Sequence, residues 1–88
     1  MKLFDIESTI FPNPITDKAI ITYKLSNPTI VKLNIFDELG KKVKLTDSYN
    51  GIIGENSIQL DFTNVKQGIY FVSLSIEGQQ FTKQIIKK

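Results

Sequence analysis

Apolar side chains recur at every second position over most of this chain. In Lys18–Leu25 the residues Ala19, Ile21, Tyr23 and Leu25 fall on one face. Lys18, Thr22 and Lys24 fall on the other, with Ile20 the exception. In Thr29–Phe36, Val31, Leu33 and Ile35 point one way and Lys32 and Asn34 the other. This is the period of a half-buried β-strand and not of a helix. The same alternation places Val43 and Leu45 on one face of Lys42–Ser48, and Ile58, Leu60 and Phe62 on one face of Ser57–Phe62. In Ile69–Ile76 it sets Tyr70, Val72, Leu74 and Ile76 against Ser73 and Ser75. Ile6–Phe11 is a first short apolar segment and Gln79–Lys87 the last strand.

Turn chemistry separates these runs. Pro12-Asn13-Pro14 lacks two backbone donors, fixes φ at both prolines and pushes Asn13 to extended geometry, which predicts a rigid bend at a sheet edge. Ser26-Asn27-Pro28 is a turn cluster. Asp37-Glu38-Leu39-Gly40 predicts a hairpin in which Asp37 bonds nearby backbone and Gly40 takes φ > 0. Tyr49-Asn50-Gly51 with Gly54 predicts a loop, and Thr63–Gln67 a polar crossing that ends at Gly68. Glu77-Gly78 reads as a two-residue hairpin loop. Pairing Ile76 with Gln79 then sets Leu74 opposite Phe81 and Tyr70 opposite Ile85, with Lys83 opposite Val72 the one mismatch. A slip of one residue would destroy that match. About seven short strands with frequent turn signals and no convincing helix predict an all-β, immunoglobulin-like antiparallel β-sandwich. Val65–Tyr70 resembles the corner before the sixth strand of such folds, where a Tyr hydroxyl bonds back to upstream backbone.

Composition narrows the chemistry. The 88 residues fit one domain with a modest core, and 41% hydrophobic with 23% charged residues is ordinary for a globular chain. A net charge of +2 gives no reason to expect nucleic acid. Cys, His and Trp are all absent, which argues against zinc and removes the commonest acid/base and nucleophile pairs; no catalytic site, metal or cofactor is expected. Asp37 and Glu38 are adjacent, so their side chains diverge, and Asp47 and Asp61 are isolated. No acidic run matches a calcium loop, and no glycine-rich loop precedes a helix. Lys41, Lys42 and Lys44 form one basic cluster and Lys83, Lys87 and Lys88 another, both read as solvated; lysines on an edge strand block edge-to-edge pairing. No apolar run is long enough for a transmembrane segment, and Asp5 and Glu7 interrupt any leader-like character at Met1–Glu7.

With these residues laid out, the chain resembles the type IX secretion system C-terminal sorting domains, type A. Phe11-Pro12-Asn13-Pro14, Ile35–Val43, Gly68-Ile69-Tyr70-Phe71-Val72 and the Lys-rich Thr82–Lys88 carry the resemblance, in order and spacing. One departure is Lys41, where that family usually has Arg; the charge stays and the planar fork is lost. The resemblance implies a linker remnant over residues 1–8 and a sorting domain over 9–88. It implies partners as well: an outer-membrane secretion translocon, a sortase-like protease that cuts in or before Met1–Thr9, and a cargo domain N-terminal to this chain. The implied route is the periplasm in transit, then secretion or the cell surface. Pro12, Asn13, Pro14, Asp37, Gly40, Lys41, Lys42, Gly68, Tyr70, Lys83, Lys87 and Lys88 are the expected signal residues. The alternative is an immunoglobulin-like adhesion or carbohydrate-binding module. Against it, Tyr23 and Tyr70 fall on inner faces and Tyr49 is the only loop tyrosine.

Overall fold

A computed structural model describes residues 8–88, apart from the side chains of Lys44, Leu45 and Thr46. The strands among these residues are β1 (Ser8–Phe11), β2 (Lys18–Leu25), β3 (Thr29–Asp37), β4 (Lys42–Gly51), β5 (Gly54–Asp61), β6 (Gly68–Ile76) and β7 (Gln79–Lys87). They form a three-stranded sheet in the order β1-β2-β5 and a four-stranded sheet in the order β4-β3-β6-β7. Every ladder is antiparallel. The expected immunoglobulin-like antiparallel sandwich is the fold. The linker expectation for residues 1–8, the start of the Ile6–Phe11 segment and the position of Leu45 fall wholly or mostly outside the described residues.

The alternating residues are the core. Ala19, Ile21, Tyr23 and Leu25 face Val31, Leu33 and Ile35 from the opposite sheet, and all are buried. Phe62, just past β5, is fully buried and meets the Tyr70 ring edge to face, with centroids 5.8 Å apart. Each such aliphatic or aromatic side chain removed from water contributes about 1.5–3 kcal/mol, which is what a domain of this size has to set against chain entropy. The β6–β7 ladder has the predicted register at every pair, including Ile76 with Gln79 and Tyr70 with Ile85. Its turn takes φ of 49° at Glu77 and 82° at Gly78, the twist that suits a two-residue hairpin. At the β3–β4 turn Gly40 has φ 86°, as predicted.

Two local expectations are corrected: the loop at Tyr49-Asn50-Gly51 and the solvation of Lys87. Tyr49, Asn50 and Gly51 form no loop; they end β4, and the turn lies at Ile52-Ile53 before Gly54, which carries φ 96°. Gly51 is needed for room and not for a positive φ: a Cβ there would collide with Leu25 Cδ1 and sit 3.0 Å from the Thr29 carbonyl oxygen. The turn is held by Asn56, whose side chain accepts from the Ile52 N–H and donates to the carbonyls of Ile52 and Gly54. Lys87 is not solvated; it is 8% exposed, on the same face as Ile85. Ile86, in contrast, is 44% exposed, because it takes the opposite parity. Ser73 lies on the outer face as expected yet is buried, between Asn34 and Thr82 in the ladders.

The Pro12-Asn13-Pro14 bend does more than end an edge strand. Both of its X-Pro bonds are cis. Before it, β1 pairs with β2 in the three-stranded sheet. After it, Ile15 lies against the end of β7 in the other sheet: the Ile15 N–H donates to the Ile86 carbonyl at 2.7 Å, and the Lys88 N–H to the Ile15 carbonyl at 2.8 Å. The chain thus changes sheets at the prolines and buries Ile15 completely.

Candidate functional site

The ladders run so that β3 ends, and β4 and β6 begin, at the same pole where β7 ends. Asp37 is level with Tyr70, Phe36 with Lys42 and Gly68 with Lys87. β1 reaches this pole at Phe11, and the Pro12-Asn13-Pro14 bend follows. Every expected signal residue except Lys83 therefore gathers at one end of the sandwich, from four separate stretches of sequence. Lys83 stands in mid-strand, opposite Val72.

Two constructions occupy that pole. The first is a cleft of about 500 Å³ between the β3–β4 turn and the crossing before β6. Four of the proposed signal residues, Asp37, Lys41, Lys42 and Tyr70, line it, together with Asp61, Asn64 and Lys66, which sequence reasoning missed. One oxygen of each carboxylate is committed to a local turn. Asp37 Oδ1 accepts from the N–H groups of Leu39 and Lys41, each at 2.9 Å. Asp61 Oδ1 accepts from the Thr63 N–H at 3.0 Å and from its hydroxyl at 2.5 Å. The Tyr70 hydroxyl donates to the Lys66 carbonyl at 2.7 Å, the predicted corner bond. Lys41, Lys42 and Lys66 are exposed around the cleft, as are Asp61 and Asn64. Such a surface can bind by charge and shape; among the residues that line it, no acid/base pair or nucleophile with a base is assembled. Among the described residues, no group of three or more His, Cys, Asp or Glu is placed to hold a metal.

The second construction joins Asn13 to the end of β7. Asn13 Oδ1 accepts from the Ile86 N–H at 3.1 Å, beside the two bonds of Ile15. The Lys87 ammonium turns back to donate to the Lys88 carbonyl at 3.0 Å. Only Lys88 of that pair offers an exposed side chain. The signal for Lys87 was present in the sequence, since its parity matches Phe81 and Ile85. The crossing of Ile15 above it has no local sequence signal.

The two seams of the sandwich differ. Between β4 and β5 the space shrinks to about 50 Å³, lined by Leu33, Tyr49 and Leu60 among others. Tyr49, expected in a loop, packs here against the core. Burial first, then the charge and hydrogen bond of Asp47, pushes its phenol above the usual range. Burial, with Tyr49 adding, does the same to Tyr23. Between β1 and β7, by contrast, lies a cleft of about 500 Å³, and Lys83 lines both it and a cleft of about 490 Å³ that runs from Ser8 and Thr9 to Thr22, Lys24 and Glu55 of β2 and β5. No helix among the described residues is long and apolar enough to cross a membrane.

A model of the family described as the secretion system C-terminal sorting domain matches residues 9–88. No curated protein matches the chain.

Proposed function

The chain belongs to the type IX secretion C-terminal sorting domain family, and from that premise we propose that it is the address by which an outer-membrane translocon passes a cargo protein outward. The family is not one of enzymes, and membership implies engagement with the type IX machinery and export to the cell surface or beyond. The observation that carries the reading is the match over residues 9–88, which takes in all but the first residue of the described sandwich. In the finer reading, the cargo precedes this domain and reaches the translocon from the periplasm. A sortase-like protease then cuts in or before Met1–Thr9 and releases the sandwich. The pole bearing Asp37–Lys42, Tyr70, Asn13 and Lys88 is the face offered to the machinery, since it gathers most of the expected signal residues.

The experiment is a fusion of the whole chain to the C-terminus of a periplasmic reporter. The reporter is expected at the surface in a strain with the translocon and in the periplasm in a strain without it. Equal surface delivery in both strains, or none in either while the fusion is folded, would sink the reading.

A further inference from the structure

The outer edge of β7 is half used. Ile86 and Lys88 turn their backbone groups outward to Asn13 and Ile15. Backbone direction along a strand repeats every second residue, so Thr82 and Gln84 face outward as well. Both are exposed, and among the described residues no strand pairs with them on that side. Among the described residues the edge therefore holds one short parallel partner, Ile15, and none from Gln80 to Gln84. Beside that run lie the cleft of the β1–β7 seam and a second cleft that Lys83 shares with β1, β2 and β5. Ser8, Thr9, Asn13 and Lys83 line one of them, and Lys24, Glu55 and Lys83 are the charged residues of the other.

We propose that the Gln80–Gln84 run of β7 takes an added strand from a partner protein, an extended segment that carries an acidic side chain facing Lys83. The added strand bonds to the N–H and C=O groups of Thr82 and Gln84, and its alternate side chains enter the seam cleft. The competing margins fit less well. β1 stops at Pro12, and among the described residues it spans Ser8–Phe11. β4 is irregular, with register shifts between Leu33 and Ile35 and between Ile35 and Phe36, and an irregular edge pairs poorly. The β4–β5 seam has no room for side chains. A second copy of this chain is disfavoured by charge. The symmetric pairing that uses both Thr82 and Gln84 sets Lys83 directly opposite its own copy, and like charges so placed repel. The same lysine attracts a carboxylate. Identifying the partner as a segment of the secretion machinery rests on the sorting reading; the strand addition itself does not.

The test is a titration of the 15N-labelled full chain with the peptide acetyl-Thr-Val-Thr-Glu-Thr-Val-Thr-amide and with its counterpart carrying Lys in place of Glu. Saturable amide shifts centred on Thr82 and Gln84 are expected. The acidic peptide should bind at least about tenfold tighter than the basic one, the range of one favourable charge contact at an interface. Lys83→Glu should invert that preference. Thr82→Pro removes an outward N–H without touching the β6–β7 ladder, and should abolish binding while leaving the rest of the amide spectrum folded. If that variant unfolds, Lys83→Glu still decides. Shifts centred on another strand, equal binding of both peptides, a preference unmoved by Lys83→Glu, or no binding at millimolar peptide would each overturn the proposal. The assay contains no translocon, so its failure and a failure of surface delivery are separate results.

Discussion

At one pole of the sandwich, Tyr70 reaches back to the Lys66 carbonyl, and Ile15 and Asn13 cross from one sheet to bond Ile86 and Lys88 in the other. At the opposite pole, Glu77-Gly78 closes a tight hairpin and Asn56 secures the Ile52–Gly54 turn from a few residues away. The turn bonds of the second pole are local in sequence; the first pole has local bonds too, at Asp37 and Tyr70, and adds the Asn13 and Ile15 bonds to β7, which form only once both sheets have met. Residues at the first pole therefore hold the fold together and are also the expected signal. A variant there that fails to be exported is informative only when its folding has been measured separately.

The largest contrast is expected at Tyr70. Tyr70→Ala removes a buried ring, its edge contact with Phe62 and the corner bond, and should cost about 3–5 kcal/mol in urea denaturation. A loss below about 1 kcal/mol would mean that this pole is not sealed by the ring.

Next come two glycines, one at each pole, which the same substitution should harm for different reasons. Gly51→Ala drives a methyl against Leu25 Cδ1 and the Thr29 carbonyl, an overpacking cost of about 1–3 kcal/mol. Gly40→Ala meets nothing within 4 Å but must hold φ near 86°, which costs about 1–2 kcal/mol. Adding Leu25→Val, which lacks the crowding Cδ1, separates the two. Its cost should be less than additive with Gly51→Ala and additive with Gly40→Ala. Additivity in both double variants would show that Gly51 is constrained by backbone shape after all.

A smaller step isolates the corner bond. Tyr70→Phe keeps the ring and deletes the hydroxyl that donates to Lys66, for an expected cost of about 0.5–1.5 kcal/mol. A neutral result would leave Tyr70 as a core aromatic with no part in fixing the crossing.

These examples also mark what a sequence can disclose. The β6–β7 register was legible because apolar residues two apart must land on one face, and a single alignment satisfied both strands. Gly40 was legible because a short turn needs φ > 0. Gly51 was misread, because Asn-Gly is a turn signal and the closeness of Leu25 is a tertiary fact. Tyr49 was placed in a loop by the same error. At the candidate site, the Asp37 turn and the Tyr70 corner were read from local spacing. Lys66, Asp61 and Asn64 were not, since nothing in their own neighbourhoods ties them to the β3–β4 turn. The sheet change at Pro12-Asn13-Pro14 was visible only as a bend; where Ile15 goes next depends on the edge of β7.

The smallest expected effect concerns the end of β7. Read as solvated, Lys87 and Lys88 would be replaced together by Ala to test recognition without touching the fold. The burial of Lys87 spoils that pair. Its stem is packed away from solvent and its ammonium holds the Lys88 carbonyl, so Lys87→Ala mixes lost packing with lost charge. Lys88 is separable. Its backbone N–H, which bonds Ile15, survives substitution, and its side chain is exposed. Lys88→Ala should therefore change stability by no more than about 0.5 kcal/mol, the usual range for an exposed site. Reduced surface delivery of a fused reporter, with an unchanged denaturation midpoint, is the expected outcome if this pole is read by charge. Full delivery would move recognition off the Lys88 side chain and toward Lys41 and Lys66 in the neighbouring cleft, where Lys41→Ala and Lys66→Ala repeat the test on two further exposed ammonium groups.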